Sequence, residues 1–346
     1  MKTRLRIVLL LAGLALFGWF IHHAGWERLR AAFTELGWWA PLALAPYAVV
    51  FTIDTIGWRF TFCGAAAVVR FVPFWFIRLA GEAVNNVIPS MYVGGEAAKV
   101  YLLHKRGVPV VTSTSASIRS KTAQSVAQST FIAMGAAVAA WQLPDSQQTA
   151  KVIFGVIAGG AFAFMAALFW LQRRGMTVTL LSAVRRLGFR LKWLDAREEK
   201  LRQLDRKIYG FYTEDRRSFY WCTGSYLAGW MFDIVEIMLV AHLLGFGAEV
   251  SWAHAFAIEA FISVARGFNT VVPGALGVQD FSVVGLFKLF GLPDELGFKY
   301  AIIRRGRDVV FAVLGWAFLY FDEATLRGFQ KRLTEEAEEM EREQSG

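Results

Sequence analysis

The sequence predicts an all-α polytopic membrane protein, with about six transmembrane helices plus two opposed re-entrant hairpins in inverted-topology repeats. Three observations lead there. Hydrophobic residues make up 55% of the 346 and charged residues only 19%, against about 25% charged in a soluble domain. Several apolar runs reach the roughly 20 residues that a helix needs to cross a bilayer, and no period-2 pattern points to a β-barrel. Two segments, "NNVIPSMYVGGE" (85–96) and "NTVVPGALGVQD" (269–280), share Asn first, Val third, Pro fifth and a carboxylate last.

The first expected helix covers residues 5–23. Its basic start and apolar core resemble a signal peptide, but Trp19, Phe20, His22 and His23 occupy the place of a small-x-small cleavage site, so a retained helix is expected. "GWERLRAAFTELGWW" follows, with tryptophans at both ends as in an interfacial segment. A second span covers about 38–62. Residues 73–106 are apolar but interrupted by Arg78, Glu82, Asn85, Asn86, Pro89 and Glu96. Two arms of about 14 residues are too short to span and suit a re-entrant hairpin. A third span is expected at about 108–141 and a fourth at about 149–171, where Gly155 and Gly159 have the spacing of close helix packing. A basic amphipathic loop occupies 172–217, suited to anionic headgroups or simply to a solvated cytoplasmic face. The fifth span covers about 219–244, a second broken hairpin 252–291, and the sixth span 296–321. A charged helical tail closes the chain. The domain boundaries are therefore 1–36, 37–142 (first repeat), 143–217, 218–321 (second repeat) and 322–346.

The net charge of +9 fits cytoplasmic loops better than a nucleic-acid site. Lys2, Arg4 and Arg6 place the N-terminus inside. With one crossing per span, Arg70, Lys105, Arg106, the 172–217 loop and the tail all fall on the cytoplasmic side. The 245–265 stretch, without Lys or Arg ahead of position 266, falls outside. The first repeat then begins with an out-to-in span and the second with an in-to-out span. Such inverted repeats recur in transporters, with substrate sites near the midplane where broken helices meet. Pro89 and Pro273 end the first arms because proline lacks an N–H. Gly94, Gly95, Gly274 and Gly277 permit turns, and Asn85, Asn86 and Asn269 can satisfy loose backbone groups at the tips.

The units also match beyond the tips: "ASIR" ends at Arg119, 23 residues after Glu96, and "AIIR" at Arg304, 24 after Asp280. Both arginines lie roughly 12–14 Å into their spans at 1.5 Å per residue, near the middle of the bilayer. A charge there is costly and marks a cavity or pathway, and arginine favours phosphate or carboxylate. The expectation is a polar midplane cavity formed by Asn85, Asn86, Glu96, Arg119, Lys121, Asn269, Asp280, Arg304, Arg305, Arg307 and Asp308. The alternative is that each arginine pairs with an acid among Glu82, Glu96, Glu259, Asp280 and Asp308 and holds the fold; both can hold together. Ser113, Ser117, Ser120, Gln124 and Gln128 form a polar face suited to helix packing or to cavity lining.

Catalysis finds no support. There is no HExxH, GxSxG or P-loop, and Ser120 and Lys121 are adjacent on a helix and cannot face each other. Cys63 and Cys222 form no CxxC, and His104, His242 and His254 show no metal spacing. No metal or cofactor is expected.

"GEAVNNVIPSMYVGGEAAKVYLL", "VPGALGVQDFSVVGLFKLFGLP" and "YAIIRRGRD" resemble the membrane region of lysylphosphatidylglycerol synthases and related flippase-like proteins, over about residues 5–321. The "VPGALGVQ" form is most similar to the branch associated with hopanoid biosynthesis. The resemblance implies a multi-pass bacterial inner-membrane protein that binds, translocates or exports a lipid, an anionic phospholipid or a hopanoid. The synthases' cytosolic aminoacyl-transferase domain has no counterpart in these residues, so lipid aminoacylation is not implied. In the family an acid usually follows the first-repeat arginine by three residues; here that position is Thr122, whereas Arg305 and Asp308 keep the pattern. The alternative role is a non-transporting membrane lipid-binding or scaffold protein for lipid-synthesis enzymes; the partners expected are the bilayer and its lipid, with such enzymes or further copies of the chain beside them.

Overall fold

The computed structural model describes residues 26–62, 69–87, 93–173, 206, 209–211, 215–266 and 278–345. Every regular element among them is helical. The helix expected at 5–23, both hairpin tips and most of the 172–217 loop lie outside the described residues.

Helix α1 (Trp26–Leu36) ends at a 3-10 turn, Gly37–Trp39, where Gly37 takes φ +52. That left-handed conformation lets the chain turn without a Cβ penalty. Trp38 and Trp39 are exposed there, as interfacial anchors are. Helix α2 (Ala40–Phe60) follows, with Pro41 in its first turn, where a missing N–H costs nothing, and a buried Pro46 inside it. Helices α3 (Phe71–Val87) and α4 (Val93–His104) pack against each other. Then come α5 (Val110–Gln142) and α6 (Gln148–Arg173), and α7 (Arg216–Leu243), whose N-cap Asp215 accepts a bond from the Ser218 N–H at 3.2 Å. Ser251 caps α8 (Trp252–Arg266) by accepting from the His254 N–H at 3.1 Å. Helix α9 (Val278–Leu289) precedes α10 (Asp294–Ser345), which runs without a break from the last expected span into the charged tail.

The packing follows a crossed scheme. Helix α2 lies along α7, α3 packs against α10, α8 packs against α5, and α4 and α9 pack against α5 and α10 respectively. Small residues permit these approaches. A Cβ on Gly57 would lie 3.0 Å from Ser225 Cβ, and one on Gly229 would lie 2.6 Å from Asp54 Oδ1. One on Gly135 would overlap Ala260 Cβ, and one on Gly315 would lie 2.6 Å from Ala83 Cβ. Small-residue contact of this kind drives helix association where the surroundings are as apolar as the side chains. Aromatic rings fill the remaining space: Trp58 stacks on Phe74 at 4.3 Å and Tyr47 meets Phe311 edge-on at 4.7 Å.

Three segments among the described residues are long and apolar enough to cross a membrane: Phe33–Phe60, Asp145–Ala167 and Arg216–Leu243. The chain is an α-helical membrane protein. The Asp145–Ala167 segment is almost wholly on the outside of the molecule. Gly155 and Gly159 share that outward position, with nothing within 4 Å of a Cβ on either. Among the described residues their spacing makes no helix contact.

Candidate functional site

A cavity of about 510 Å³ opens between the helices, and its charged lining follows helical spacing. Arg78, Glu82 and Asn86 recur every four residues along one stripe of α3. Lys121, Gln124, Ser125 and Gln128 form a stripe of α5. Helix α2 supplies Tyr47, Phe51 and Asp54, and α7 supplies Trp230 and Asp233. Arg266, the last residue of α8, and Phe164 of α6 complete the wall. Six of these side chains are ionisable at strongly charged groups, three acids (Asp54, Glu82, Asp233) and three bases (Arg78, Lys121, Arg266).

The charges divide by how tightly they are held. Arg78 is buried, and its Nη2 donates to Asp54 Oδ2 at 2.9 Å while Nη1 donates to the Phe51 carbonyl at 3.1 Å. Its guanidinium also lies over the Phe51 ring at 4.7 Å. Glu82 lies 3.6 Å from Lys99, whose ammonium donates to Glu96 at 2.6 Å. The stem of Lys99 lies directly on Gly81, which is what brings α4 this close to α3. Arg266 reaches Asp233 at 3.3 Å and Glu259 at 2.5 Å.

Behind the cavity lies a second buried cluster. Arg304 donates to both oxygens of Glu259, at 2.7 and 2.9 Å, and to the Tyr300 hydroxyl at 2.7 Å. This is the bidentate fork that arginine forms best. Arg307 pairs with Glu236 and with Asp308, at 2.8 Å to the latter, and lies over the Tyr47 ring at 4.0 Å. Arg304 and Arg307 are each 2% exposed. Arg266 links the clusters, because it shares Glu259 with Arg304.

The residues proposed from sequence are thus distributed. Asn86 and Lys121 line the cavity. Glu96 sits beside it, 2.6 Å from Lys99 and 3.7 Å from Lys121, so its partners are lysines rather than Arg119. Asn85 is buried and accepts the Gly95 N–H at 2.9 Å, tying the start of α4 to α3. Arg119 is buried, donates to the Ser115 hydroxyl at 2.9 Å and lies over Phe211 at 5.3 Å. Arg304, Arg307 and Asp308 belong to the second cluster, and Arg305 is buried on the same helix. Asn269 and the Asp280 side chain lie outside the described residues. The polar face of α5 serves both expected purposes. Ser120 shares a hydrogen bond with Tyr226 at 2.5 Å and Gln128 donates to the Ser263 carbonyl at 2.9 Å, while Gln124, Ser125 and Gln128 line the cavity. Asp54, Asp233, Glu236 and Arg266 were not singled out from sequence. Their signal was present, as isolated charges in "FTIDTIGW", "MFDIVEIM" and "ISVARG". Among the described residues no group of three or more His, Cys, Asp or Glu is placed to hold a metal ion.

Residues 5–315 match the family of the lysylphosphatidylglycerol synthase TM region. The chain belongs to this family. No curated protein and no solved structure is detectably similar to it. The match to the synthase membrane region takes in all the cavity-lining residues and both buried clusters. A module of this family is a membrane module concerned with lipid, and the cavity is its internal polar space.

Proposed function

We propose that the protein is a lipid translocase that carries a lipid headgroup through the cavity between α2, α3, α5 and α7. The charged cavity carries this reading. Isolated charges cost several kcal/mol in a bilayer interior and mark pathways there. Six charged side chains line this space, and they come from five different helices. In this reading the protein has six spans with both termini cytoplasmic in a bacterial inner membrane. The α3–α4 and α8–α9 pairs are re-entrant hairpins of two inverted repeats. The crossed packing supports the repeats: the first arm of each pair rests on the long final helix of the other unit, α3 on α10 and α8 on α5. A pseudo-two-fold axis between α2 and α7 generates that exchange. The transported molecule is a phospholipid or a hopanoid.

Purified protein in vesicles carrying an acyl-labelled lipid tests the proposal. Protein-dependent movement of label between leaflets is expected, with loss on Arg78→Gln and on Arg304→Gln. Vesicles in which wild-type protein moves no lipid would refute it. The extensive self-pairing of the second cluster favours one other reading, a static lipid-binding scaffold for lipid-synthesis enzymes. Retained lipid with no movement, together with co-purifying enzymes, would identify that role.

A further inference from the structure

Four carboxylates and three guanidiniums are joined by ion pairs across α7, α8 and α10. Arg266 bridges Asp233 and Glu259, Arg304 forks onto Glu259, and Arg307 is divided between Glu236 and Asp308. Arginine does not shed its proton, so with every acid ionised this network carries one negative charge in excess. Asp308 keeps 27% of its side chain accessible, whereas Asp233, Glu236 and Glu259 keep 2% or less. Water can ease Asp308 but hardly the other three. Asp233 and Glu236 stand three residues apart on α7, which places their Cβ atoms about 5–6 Å apart on one face. Asp233 Oδ2 accepts from Arg266 at 3.3 Å, and Glu236 Oε2 accepts from Arg307. The other oxygens, Asp233 Oδ1 and Glu236 Oε1, are buried with no hydrogen-bond partner among the described residues.

Helix α7 packs against α2, α5, α8 and α10, and among the described residues no charged group of theirs donates to either oxygen. Asp54 of α2 is bound to Arg78, and the Tyr47 ring faces Arg307. Lys121 of α5 lies beside Glu96, and Glu82, across the cavity on α3, lies beside Lys99. Tyr300 of α10 accepts from Arg304. Two neighbouring carboxylates that both lack a donor favour holding one proton between them, and strings of acids inside membranes serve as proton relays. We propose that Asp233 and Glu236 bind a single proton taken from the cavity, and that lipid movement is coupled to it. Asp233 lines the cavity and is the entry point. A hydronium ion there gives its proton to Asp233 Oδ1, leaving water, and the new O–H donates to Glu236 Oε1. Release runs the same step backward. One proton thus cancels the excess charge and satisfies both oxygens. It also takes charge from the carboxylate that holds Arg266, the last residue of α8, so the loaded and empty pairs hold that helix end differently. The coupling rests on the translocase reading; the proton site stands without it.

The full chain in phosphatidylglycerol vesicles carrying acyl-labelled phosphatidylglycerol tests the coupling. Potassium is equal on both sides with valinomycin present, and label in each leaflet is read by chemical quenching from outside. Without a pH gradient the label should distribute evenly. One pH unit across the membrane should shift its ratio between leaflets by up to about tenfold, the factor that unit supplies to one coupled proton, and the shift should invert with the gradient. Even label under every pH gradient, or a shift driven by a sodium gradient at equal pH, overturns the coupling and leaves translocation standing. Label that stays put in every condition refutes translocation and the coupling with it. Infrared spectroscopy of the wild-type protein in detergent reads the proton site without any lipid movement. A carboxylic-acid band at neutral pH, shifted in deuterium oxide, is expected. Asp233→Asn and Glu236→Gln should each lose it, because removing either acid also removes the excess charge. No such band in wild-type protein, or one that both variants keep, overturns the site.

Discussion

Glu259→Gln is expected to be the most destabilising single exchange in the second cluster. Glu259 is fully buried and accepts from Arg304 at 2.7 and 2.9 Å and from Arg266 at 2.5 Å. Glutamine keeps the shape but removes the charge, and it turns an –NH2 group toward guanidinium donors. The one amide oxygen that remains can still accept, but the other position now turns N–H toward a guanidinium, so the three donations that Glu259 takes from Arg304 and Arg266 cannot all be kept. Removing one partner of a buried pair costs about 3–5 kcal/mol, because the other charge stays buried and unpaired. The double exchange Glu259→Met with Arg304→Met removes both charges at similar volume and should recover more than half of that loss. The coupling between the two sites should then be about 1.5 kcal/mol or more, within the range for residues in one network. Reversible denaturation in mixed micelles, followed by tryptophan fluorescence, measures all three variants on one scale. A loss below about 1 kcal/mol for Glu259→Gln would refute the reasoning, since a charge pair that cheap to break is not sequestered from water.

Arg78→Gln should leave Asp54 facing Gly229 without its guanidinium, lowering stability by about 3 kcal/mol and abolishing lipid movement; Lys at the same position should restore stability only in part, for want of the fork, in the same micelle and vesicle assays. Gly135→Val should cost about 1–3 kcal/mol through overpacking against Ala260, whereas Gly160→Ala, with open space around it, should be neutral or stabilising by up to about 1 kcal/mol. Thermal denaturation of the pair in one detergent separates them. Single cysteines at Ser90 and Ala275, in a background lacking Cys63 and Cys222, should label from the cytoplasmic and the opposite face respectively; labelling of both from the same face would sink the inverted repeat.

Much of the helix plan was legible because its signals are local. Pro109 starts α5 and Ser251 starts α8 close to where apolar runs expected at 108 and 252 begin. The break after α3 is visible in "NNVIP", since a proline and two amides cannot continue an apolar helix. The cavity was less legible. Depth along a span can be counted, and Arg119 and Arg304, placed deep by that count, are both buried in the protein. The facing of one helix toward another cannot be counted. Asp54 finds Arg78 because α3 presents that stripe to α2, and Arg304 of α10 reaches Glu259 of α8 through a long side chain. Those partners lie 24 and 45 residues apart. Only the packing of small residues decides which faces meet. Counting arginines alone also hid the acids, although Asp233 and Glu236 sit in the most apolar stretch of their helix.

The two clusters divide the charges by mobility, and that division bears on how a lipid head could pass. Arg304 is held in a fork by Glu259, and Arg307 by Glu236 and Asp308, and moving either means stripping a paired ion in a low-dielectric space. Glu82 and Asp233 have longer contacts, 3.6 Å to Lys99 and 3.3 Å to Arg266. A ligand can replace such contacts at little cost, since what it breaks is already weak. Arg266 stands at the boundary, bonded to fixed Glu259 and to cavity-facing Asp233. In the translocase reading, a headgroup that reaches Asp233 would compete with Arg266 for that carboxylate. Because Arg266 is the last residue of α8, its release loosens the hold on that end of the helix. In the translocase reading, substrate occupancy and the position of α8 would thereby be coupled through one guanidinium. Arg266→Lys keeps the charge but not the fork, so it should preserve lipid retention while slowing translocation about tenfold, the scale of one charge-assisted bond. Equal loss of retention and translocation would place Arg266 in the binding wall alone.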